Sequence, residues 1–528
     1  MSGIRVEGRL GGRGAVVLCG PMGAGKTTVG AEVAAAFGLP FFDVDRMLAE
    51  RWGPIPDQFT RDGEAAFRQR EREVVLGLLG GDPGDRRGAS PAVIALGGGG
   101  FSDSQVRTLA CARALTVWLD VPLDVSLSRI AGSDRPNGSR AAQLFEARRR
   151  DYASAEVRVD ASAPVVDVVA AIVAACPLVR QVQASRLTYR VVATGGGYGD
   201  LAAEVQRIGC SDAVIVTDDR IGPLWASAVA AAVGVACRTV VVPAGEASKS
   251  WSTLGRLIDD ALAGGVRRST AVIALGGGMV GDLAGLCAAL LLRGVPVVQV
   301  PTSLLAMVDS SVGGKTAINH EKAKNLIGAF YPPSLVYASM STLATLPPAE
   351  LRSGLGEVVK TALLDAALFA RVEALADRLA VGEPGALREV VLECVRVKAA
   401  IVEQDERETG VRAWLNLGHT VGHGLEAASE GAIPHGVAVA AGLLAELRWS
   451  AAAGYTDSEV FSRVSALLAR LGLPGPLVPV RGSRVVDAMW LDKKASGDTL
   501  SLPVVVRVGE VAVVGVPLTE LASMVEPA

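Results

Sequence analysis

Two things are missing from this chain: a long uncharged apolar run, and any strong excess of charge of one sign. Mean hydropathy is high, at +0.36. Yet its most apolar region, 271–308, is interrupted by Asp282, Arg293, Pro296 and Pro301. No stretch reaches the roughly 20 apolar residues that a spanning helix needs. The N-terminus lacks an apolar segment followed by a cleavage site, so a cytoplasmic protein without a membrane partner is expected. A formal net charge of −3 and a pI near 6.0 argue against a nucleic-acid partner. The basic residues that matter should therefore be local binders of phosphate or carboxylate. The seven cysteines (19, 111, 176, 210, 237, 287 and 394) form no CxxC pair, which suits a reducing compartment with thiols buried as small apolar groups. Histidine is scarce. Of four in 528 residues, His419, His423 and His435 fall within 17 residues.

At this length one core does not suffice. Short β-like runs (Ala15–Cys19, Ala92–Leu96, Leu115–Leu119, Ala213–Thr217, Thr239–Val242, Ala271–Leu275, Val297–Val300) alternate with Ala/Leu-rich amphipathic stretches. That alternation predicts α/β units with parallel sheets. From about Pro347 to Leu471 the pattern is almost wholly helical, and a β-like stretch, Leu502–Val514, follows. A helical run, Val165–Ala175, stops at Cys176-Pro177, and a polar segment follows before Tyr189. The expected division is therefore 1–176, a linker 177–187, 188–346 and 347–528. The octapeptide AVIALGGG occurs at Ala92–Gly99 and again at Ala271–Gly278 with different flanks. It reads as a buried strand ending in a turn where backbone can approach a ligand, used twice.

Gly20-Pro21-Met22-Gly23-Ala24-Gly25-Lys26-Thr27 fits G-x-x-x-x-G-K-[ST], after a strand and before a helical stretch, Thr28–Phe37. Backbone N–H groups of Gly23, Ala24, Gly25, Thr27 and Thr28 would cradle phosphates, Lys26 adds charge, and the Thr27 hydroxyl would ligate Mg²⁺. Downstream come Asp43 and Asp45 at the end of a second strand, Gly63-Glu64-Ala65-Ala66-Phe67-Arg68, the turn Gly97-Gly98-Gly99, Arg135-Pro136, and Arg148 four residues before Tyr152. In order and spacing these motifs resemble shikimate kinase over residues 14–175. The resemblance implies a P-loop, nucleoside monophosphate kinase-like domain using ATP with Mg²⁺. It implies that Asp45, Arg68, Gly97–Gly99 and Arg148 bind shikimate, and that Asp45 orients or deprotonates the attacking hydroxyl. Asp43 would hold Mg²⁺ through water, and Arg135 would be the lid arginine. A guanidinium fork suits the acid's carboxylate. The chain departs from the family at Asn137-Gly138 after the lid, in the shorter span to Arg148, and at Arg150, where proline is usual.

The second half has no such loop. Gly276-Gly277-Gly278-Met279-Val280-Gly281-Asp282 follows a buried strand and opens a helix, a weak dinucleotide signal alone. Around it stand Pro243–Lys249, Pro301–Thr316, Lys324–Phe330 and Thr342–Thr345, and then Glu357, Leu415–His423 and Pro434-His435-Gly436. Spacing alone would pair His419 with His423, at i and i+4 on one helix face, around a metal. Together the motifs resemble 3-dehydroquinate synthase over residues 187–528, and the resemblance changes that reading. It implies a Rossmann-like NAD-binding α/β domain followed by a helical metal-binding domain. The implied ligands of one Zn²⁺ or Co²⁺ are Glu357, His419 and His435, with His423 a polar or acid–base group. NAD⁺ would be lined by Gly245, Glu246, Lys249, Gly278, Met279, Val280, Gly281, Asp282, Thr302, Ser303, Lys315, Lys324, Thr342, Leu343, Ala344 and Thr345. The substrate, 3-deoxy-D-arabino-heptulosonate 7-phosphate, would meet Asp309, Arg293, Lys315, Asn325, Lys360, Lys398, Arg412 and the Lys493-Lys494 pair. Of these, Lys315 and Arg412, with His423, are the expected catalytic groups. NAD⁺ would be reduced and regenerated within each turnover, so the net reaction is phosphate elimination and ring closure.

Two rival readings stand beside this one. Other sugar-phosphate cyclases and polyol dehydrogenases share the glycine turn and the metal triad, although the kinase-like first half favours the aromatic-precursor pathway. Alternatively, the first half is a non-catalytic binding module; its intact Lys26, Thr27, Asp45, Arg68 and Arg148 argue against that. Family analogy adds a homodimer through the second half.

Overall fold

The computed structural model describes residues 9–10, 15–80, 91–130, 141–176, 178–183, 188–321, 323–406, 410–473, 482–492 and 499–525. The expected lid residue Arg135 and the Lys493-Lys494 pair lie outside the described residues. The chain divides into two compact units, Met1–Val179 and Arg180–Ala528.

The first unit runs β1 (Arg9–Leu10), β2 (Ala15–Cys19), α1 (Lys26–Phe37), β3 (Phe41–Asp43), α2 (Val44–Trp52), α3 (Ile55–Leu78), β4 (Ala92–Ala95), α4 (Ser104–Arg113), β5 (Ala114–Asp120), α5 (Leu123–Ile130), α6 (Ala141–Tyr152), β6 (Val157–Asp160) and α7 (Val165–Ala175), with β7 (Leu178–Gln183) at the division. Five strands form one sheet in the order β3-β4-β2-β5-β6, and every pairing is parallel. The central strands β2 and β4 are buried along their whole length, as strands covered on both faces must be. Their apolar runs are what made them visible in the sequence. α3 breaks at Gly63 (φ 81°, ψ 163°), so Arg68 rides on its second segment.

The second unit begins with β8 (Thr188–Thr194), α8 (Leu201–Ile208), β9 (Asp212–Asp218), α9 (Gly222–Ala232), β10 (Ala236–Val242), α10 (Trp251–Ala263), β11 (Thr270–Gly276), α11 (Gly278–Leu290), β12 (Val297–Pro301), β13 (Lys315–His320), β14 (Ala323–Phe330) and β15 (Leu335–Ser339). Six of these strands form a parallel array in the order β8-β15-β12-β11-β9-β10. β13 and β14 make a separate antiparallel hairpin. The sequence reading took its residues only as binding motifs, although Thr316 and Ile318 alternate into a buried face and Ile327 and Ala329 pack on the same core.

Helices follow: α12 (Pro348–Ala362), α13 (Ala366–Ala380), α14 (Pro384–Gln404), α15 (His419–Ala428), α16 (His435–Ala452), α17 (Ser458–Arg470) and α18 (Gly482–Asp492), then β16 (Thr499–Arg507), β17 (Glu510–Pro517) and α19 (Leu521–Val525). The single β-like run expected at 502–514 is thus a hairpin, with Arg507 paired to Glu510 across its turn.

The helices that carry the metal-ligand candidates approach almost without side chains. A Cβ on Gly356 of α12 would lie 2.0 Å from the Gly436 carbonyl oxygen, and one on Gly436 would lie 1.8 Å from that of Ser353. On the other side of α16, a Cβ on Gly442 would lie 2.1 Å from the Gly418 carbonyl oxygen. These obstacles are backbone, which cannot swing aside. Gly356→Ala should therefore cost about 3 kcal/mol or more and push apart the helices bearing Glu357 and His435. Chemical denaturation of the variant against the parent checks this; an unchanged unfolding midpoint would refute it.

Candidate functional sites

In the first unit the loop 20–27 joins β2 to α1. The Lys26 ammonium donates to the carbonyls of Gly20 and Pro21, both at 2.8 Å, so it lies across its own loop. Thr27 Oγ1 donates to Asp43 Oδ2 at 2.6 Å, which brings the two expected Mg²⁺ positions together. The other Asp43 oxygen caps α2 by accepting from Arg46 N at 3.1 Å. Two residues of α5 brace the loop: Ser126 Oγ donates to Met22 O at 2.6 Å, and Arg129 Nη1 donates to Gly23 O at 3.3 Å. Neither belongs to a contiguous motif, and the sequence reading missed both.

The residues expected to bind the small acid converge on the turn after β4. A Cβ on Gly97 would sit 2.6 Å from Asp45 Oδ1 and 2.4 Å from Glu71 Oε1, and one on Gly99 would sit 2.5 Å from Arg68 Nη1. Only glycine lets those side chains lie against this turn. Arg148 Nη1 and the Tyr152 hydroxyl, both on α6, donate to Gly98 O at 2.9 and 2.6 Å. Arg68 is aimed by Glu71 at 2.5 Å and Glu64 at 3.4 Å. Glu71 is buried, and its Oε1 has no hydrogen-bond partner among the described residues. Burial pushes its carboxyl up, against the opposing pull of Arg68. Glu71 was also missed, although its place one turn after Arg68 on an amphipathic helix was a usable signal.

In the second unit, β11, β12 and β15 end side by side, so the turn at 276–278, the segment from Pro301 and the segment from Met340 share the carboxyl edge of the sheet. Ligands of open α/β sheets bind in the crevice at this edge. Gly277 caps α11 without a side chain, which leaves backbone N–H groups and the helix dipole for an anionic ligand. A Cβ on Gly278 would press Ser310 Oγ at 3.1 Å. The buried Lys249 ammonium donates to Asp282 Oδ2 at 2.5 Å and to Asn325 Oδ1. Asn319 donates to Glu246 Oε1 at 2.8 Å and accepts from Asn325 N at 2.9 Å. These bonds tie the Gly245–Lys249 loop to the β13–β14 hairpin.

Thr302 is buried, its N–H donating to Gly276 O at 3.0 Å, and Ser303 Oγ accepts from Ala306 N at 3.3 Å. Thr342 and Thr345 use their hydroxyls to bond Ser339 O and Thr342 O at 2.9 and 3.0 Å. Lys315 is exposed at the start of β13. Lys324, expected at the nucleotide, donates to Glu426 Oε1 at 2.6 Å. Arg293 stands apart. It is exposed beyond the far end of α11, a helix about 20 Å long at 1.5 Å per residue, so its own chain does not bring it to the glycine turn. Arg412 is 1% exposed, with its guanidinium committed to the carbonyls of Gly313 at 3.1 Å and of Glu406.

The histidines meet Glu357 in the helical part. His435 Nε2 and His419 Nε2 lie 3.3 and 3.7 Å from Glu357 Oε1. Those spacings are close to the edge, about 3.4 Å, of a tetrahedron with the 2.0–2.1 Å bonds of zinc. Glu357 is fully buried, and neither of its oxygens makes a well-directed hydrogen bond among the described residues. A buried carboxylate whose Oε1 faces two imidazole nitrogens fits a cation. The ligand atoms that converge are those of Glu357, His419 and His435, so the pairing of His419 with His423 suggested by spacing is corrected. The His423 ring instead lies 5.2 and 5.9 Å from the other two imidazoles.

Charge around the cluster is closely balanced. Lys360 Nζ is 2.5 Å from Glu357 Oε2 and 3.8 Å from Asp309 Oδ1. Lys398 donates to Asp309 through its Oδ1 at 2.6 Å and its carbonyl at 2.5 Å. Burial opposes the charge on Asp309, but Lys360 and Lys398 outweigh it and hold the carboxyl well below its usual range. Burial likewise opposes Glu357, and Lys360 brings it down to about 2. Burial and then Lys360 push His419 down to about 3. Burial would lower His435 too, but its bonds to Glu357 and Glu426 raise it to about 10. The two carboxylates thus favour positive charge at His435, the place where a cation would sit.

Two further carboxylates set the imidazoles, and the sequence reading missed both. Glu426 Oε2 lies 3.1 Å from His435 Nδ1. Glu446, buried on α16, accepts from the N–H groups of Gly418 at 2.8 Å and Val421 at 3.1 Å, capping the helix that begins at His419. Glu426 shares a helical face with His419, seven residues back, so periodicity could have found it. Glu446 is distant in sequence and carried no signal.

Comparison with known proteins bears on both units. Residues 22–176 match the family model for shikimate kinase, 239–353 that for 3-dehydroquinate synthase N-terminal, and 354–495 that for 3-dehydroquinate synthase C-terminal. A 3-dehydroquinate synthase from Pelobacter propionicus is 40% identical over 343 residues, 64% of this chain and 96% of that protein. Another, from Desulforamulus reducens, is 45% identical over 287 residues, 53% of this chain and 80% of that protein. Among solved structures, 2-epi-5-epi-valiolone synthase from Streptomyces hygroscopicus subsp. jinggangensis, with NAD⁺ and Zn²⁺ bound, is 28% identical with a TM-score of 0.59, over 65% of this chain and 98% of that one. The fold is shared with 2-deoxy-scyllo-inosose synthase, complexed with carbaglucose-6-phosphate, NAD⁺ and Co²⁺, at 24% identity and a TM-score of 0.59, over 66% and 99% of the two chains.

The Glu446 cap has a measurable consequence. Glu446→Ala strands two buried N–H groups and should cost about 2 kcal/mol, whereas Glu446→Gln keeps one acceptor and should cost less. Equal unfolding free energies for the two variants would show that the cap contributes nothing.

Proposed function

We propose an assignment of residues to chemistry from this premise: the chain belongs to the 3-dehydroquinate synthase family, carries a shikimate kinase domain ahead of it, and has both activities of the shikimate pathway.

For the kinase, Lys26 exchanges the carbonyls of Gly20 and Pro21 for phosphate oxygens of ATP. The loop N–H groups take the remaining phosphate oxygens. Mg²⁺, when bound beside Thr27 and Asp43, neutralises charge on the phosphates. Arg68 and Arg148 take the shikimate carboxylate, while Asp45 accepts the proton of the attacking hydroxyl. Glu71 holds Arg68 in place for this.

For the synthase, NAD⁺ when bound would supply a reversible hydride acceptor, and Glu357, His419 and His435 would hold a Zn²⁺ or Co²⁺ ion that would supply Lewis acidity toward the substrate's hydroxyls. The chain's own groups orient and discharge the substrate. Lys360 and Lys398 face its hydroxyls and carboxylate, and Asp309 opposes the burial that disfavours charge on each. Lys315 and Asn325, on the β13–β14 hairpin, receive the phosphate. His423, beside the two ligand imidazoles, is positioned to move a proton. The glycine turn with Lys249 and Asp282 receives the dinucleotide. Assembly through the second unit as a cytoplasmic homodimer completes the proposal.

The observation that carries it is the meeting of the buried Glu357 with His419 and His435 beside two lysines and Asp309. Paired assays test it: ADP release from ATP and shikimate, and phosphate release from the heptulosonate phosphate with NAD⁺. Lys26→Met should lower the first by about 10²-fold or more and leave the second within twofold. His435→Ala, or a chelator, should do the reverse, with Zn²⁺ or Co²⁺ restoring the chelated enzyme. Phosphate release that survives both metal-site lesions would sink the assignment. The two reactions are not consecutive, since dehydroquinate must be dehydrated and reduced before it is shikimate. Cleavage near residue 180 should accordingly leave both rates intact; loss of both on clean cleavage would contradict this.

A further inference from the structure

The proposed metal ligands and the glycine turn lie on different layers of the second unit, yet two sets of polar contacts, linked by one step along the β14 backbone, join them. It starts at His435, whose Nδ1 is 3.1 Å from Glu426 Oε2. The other oxygen of the same carboxylate accepts from Lys324 at 2.6 Å. Lys324 precedes Asn325 on β14, and the Asn325 side chain accepts from Lys249. Lys249 in turn holds Asp282, in the second turn of α11, at 2.5 Å. Asn325 has φ at 56°, a left-handed conformation that asparagine accepts more readily than most non-glycine residues. Here its N–H donates to Asn319 at 2.9 Å while its side chain serves Lys249.

Glu426 is the joint of this network. It is the point where the helical part and the hairpin share one group. Each of its oxygens is committed to a different side, Oε2 to His435 and Oε1 to Lys324. A histidine that binds a metal through Nε2 has its ring plane set by what its Nδ1–H meets. A lysine on a hairpin has its tip set by the carboxylate it reaches. Fixing one side of Glu426 fixes the rotamer offered to the other.

We propose that Glu426 is a positioning residue that couples metal binding to dinucleotide binding, so that each ligand tightens the other. The inference rests on the assignment of the triad to a metal and of the glycine turn to NAD⁺, and goes beyond it. A metal on His435 orders the Glu426 carboxylate, which orders Lys324 and the hairpin that closes the nucleotide side. The ligand that binds second finds that ordering already done. Linkage makes the effect reciprocal.

The test measures NAD⁺ affinity of the full chain with and without Zn²⁺, and Zn²⁺ affinity by chelator competition with and without NAD⁺. In the parent each ligand should tighten the other by about fivefold or more, with equal factors in the two directions. Glu426→Gln should bring both factors close to one and raise the Zn²⁺ dissociation constant about 10-fold or more. Lys324→Met touches an exposed side chain and threatens folding less. It too should erase the mutual effect while leaving Zn²⁺ affinity in the absence of NAD⁺ within about twofold. If the parent binds both ligands independently, or if Lys324→Met keeps the full mutual factor, this inference is overturned while the cofactor assignment stands. If the parent binds neither ligand, both fall together.

Discussion

A single buried ammonium organises the second unit's site. Lys360 is almost inaccessible to solvent and stands between Glu357 and Asp309. An ion buried alone is prohibitively costly, and one buried between two acids is tolerated only when the geometry is nearly complete. The helix α12 that carries Glu357 and Lys360 therefore has one admissible depth relative to Asp309. The glycine contacts to α16 set that depth by removing every side chain that could hold the helices apart. Lys398 supplies the second cation, so two lysines face two acids, and the two ligand imidazoles complete the cluster. The cluster's electrostatics follow from this balance, from the depressed carboxyls to the opposite displacements of His419 and His435.

The first unit solves a similar problem with internal stand-ins. Lys26 rests on carbonyl oxygens, Arg148 on the Gly98 carbonyl, and Arg68 on Glu71. Each cation proposed for an anionic ligand already has a partner within the fold. Binding then exchanges one set of bonds for another rather than creating charge contacts from nothing. The net gain is smaller, but the geometry is prepared beforehand.

What was legible in the sequence was whatever chemistry is contiguous. The loop at 20–27, the glycine turns, Asp43 at a strand end with Asp45 in the first turn of the helix that follows, and the Gly-His-Thr segment each announce themselves within a few residues. The buried strands were legible because strands covered on both faces are continuous apolar runs. Groups that act from a distance were not. Glu446 reaches the start of α15 from the middle of α16, Ser126 reaches the phosphate loop from α5, and nothing local marks either. The hairpin of β13 and β14 was missed because its apolar face is short, resting on Ile318, Ile327 and Ala329. Spacing misled at His423, since i and i+4 on a helix face makes two side chains neighbours without deciding which third group completes a site. The octapeptide shared by β4 and β11 makes the same point. One copy ends in a turn that fits beneath Asp45 and Arg68; the other opens a long helix. The words are the same, and the surrounding elements decide the use.

The division of the chain into two compact units has a consequence for the cell rather than for either site. One message yields one copy of each catalyst, so their numbers are locked at parity however strongly the gene is expressed. Any mismatch in the fluxes these two non-adjacent steps must carry has to be absorbed by turnover rates and substrate saturation. Natural selection on this protein can then act on the ratio of two rate constants, where separate genes would let it act on the ratio of two promoters.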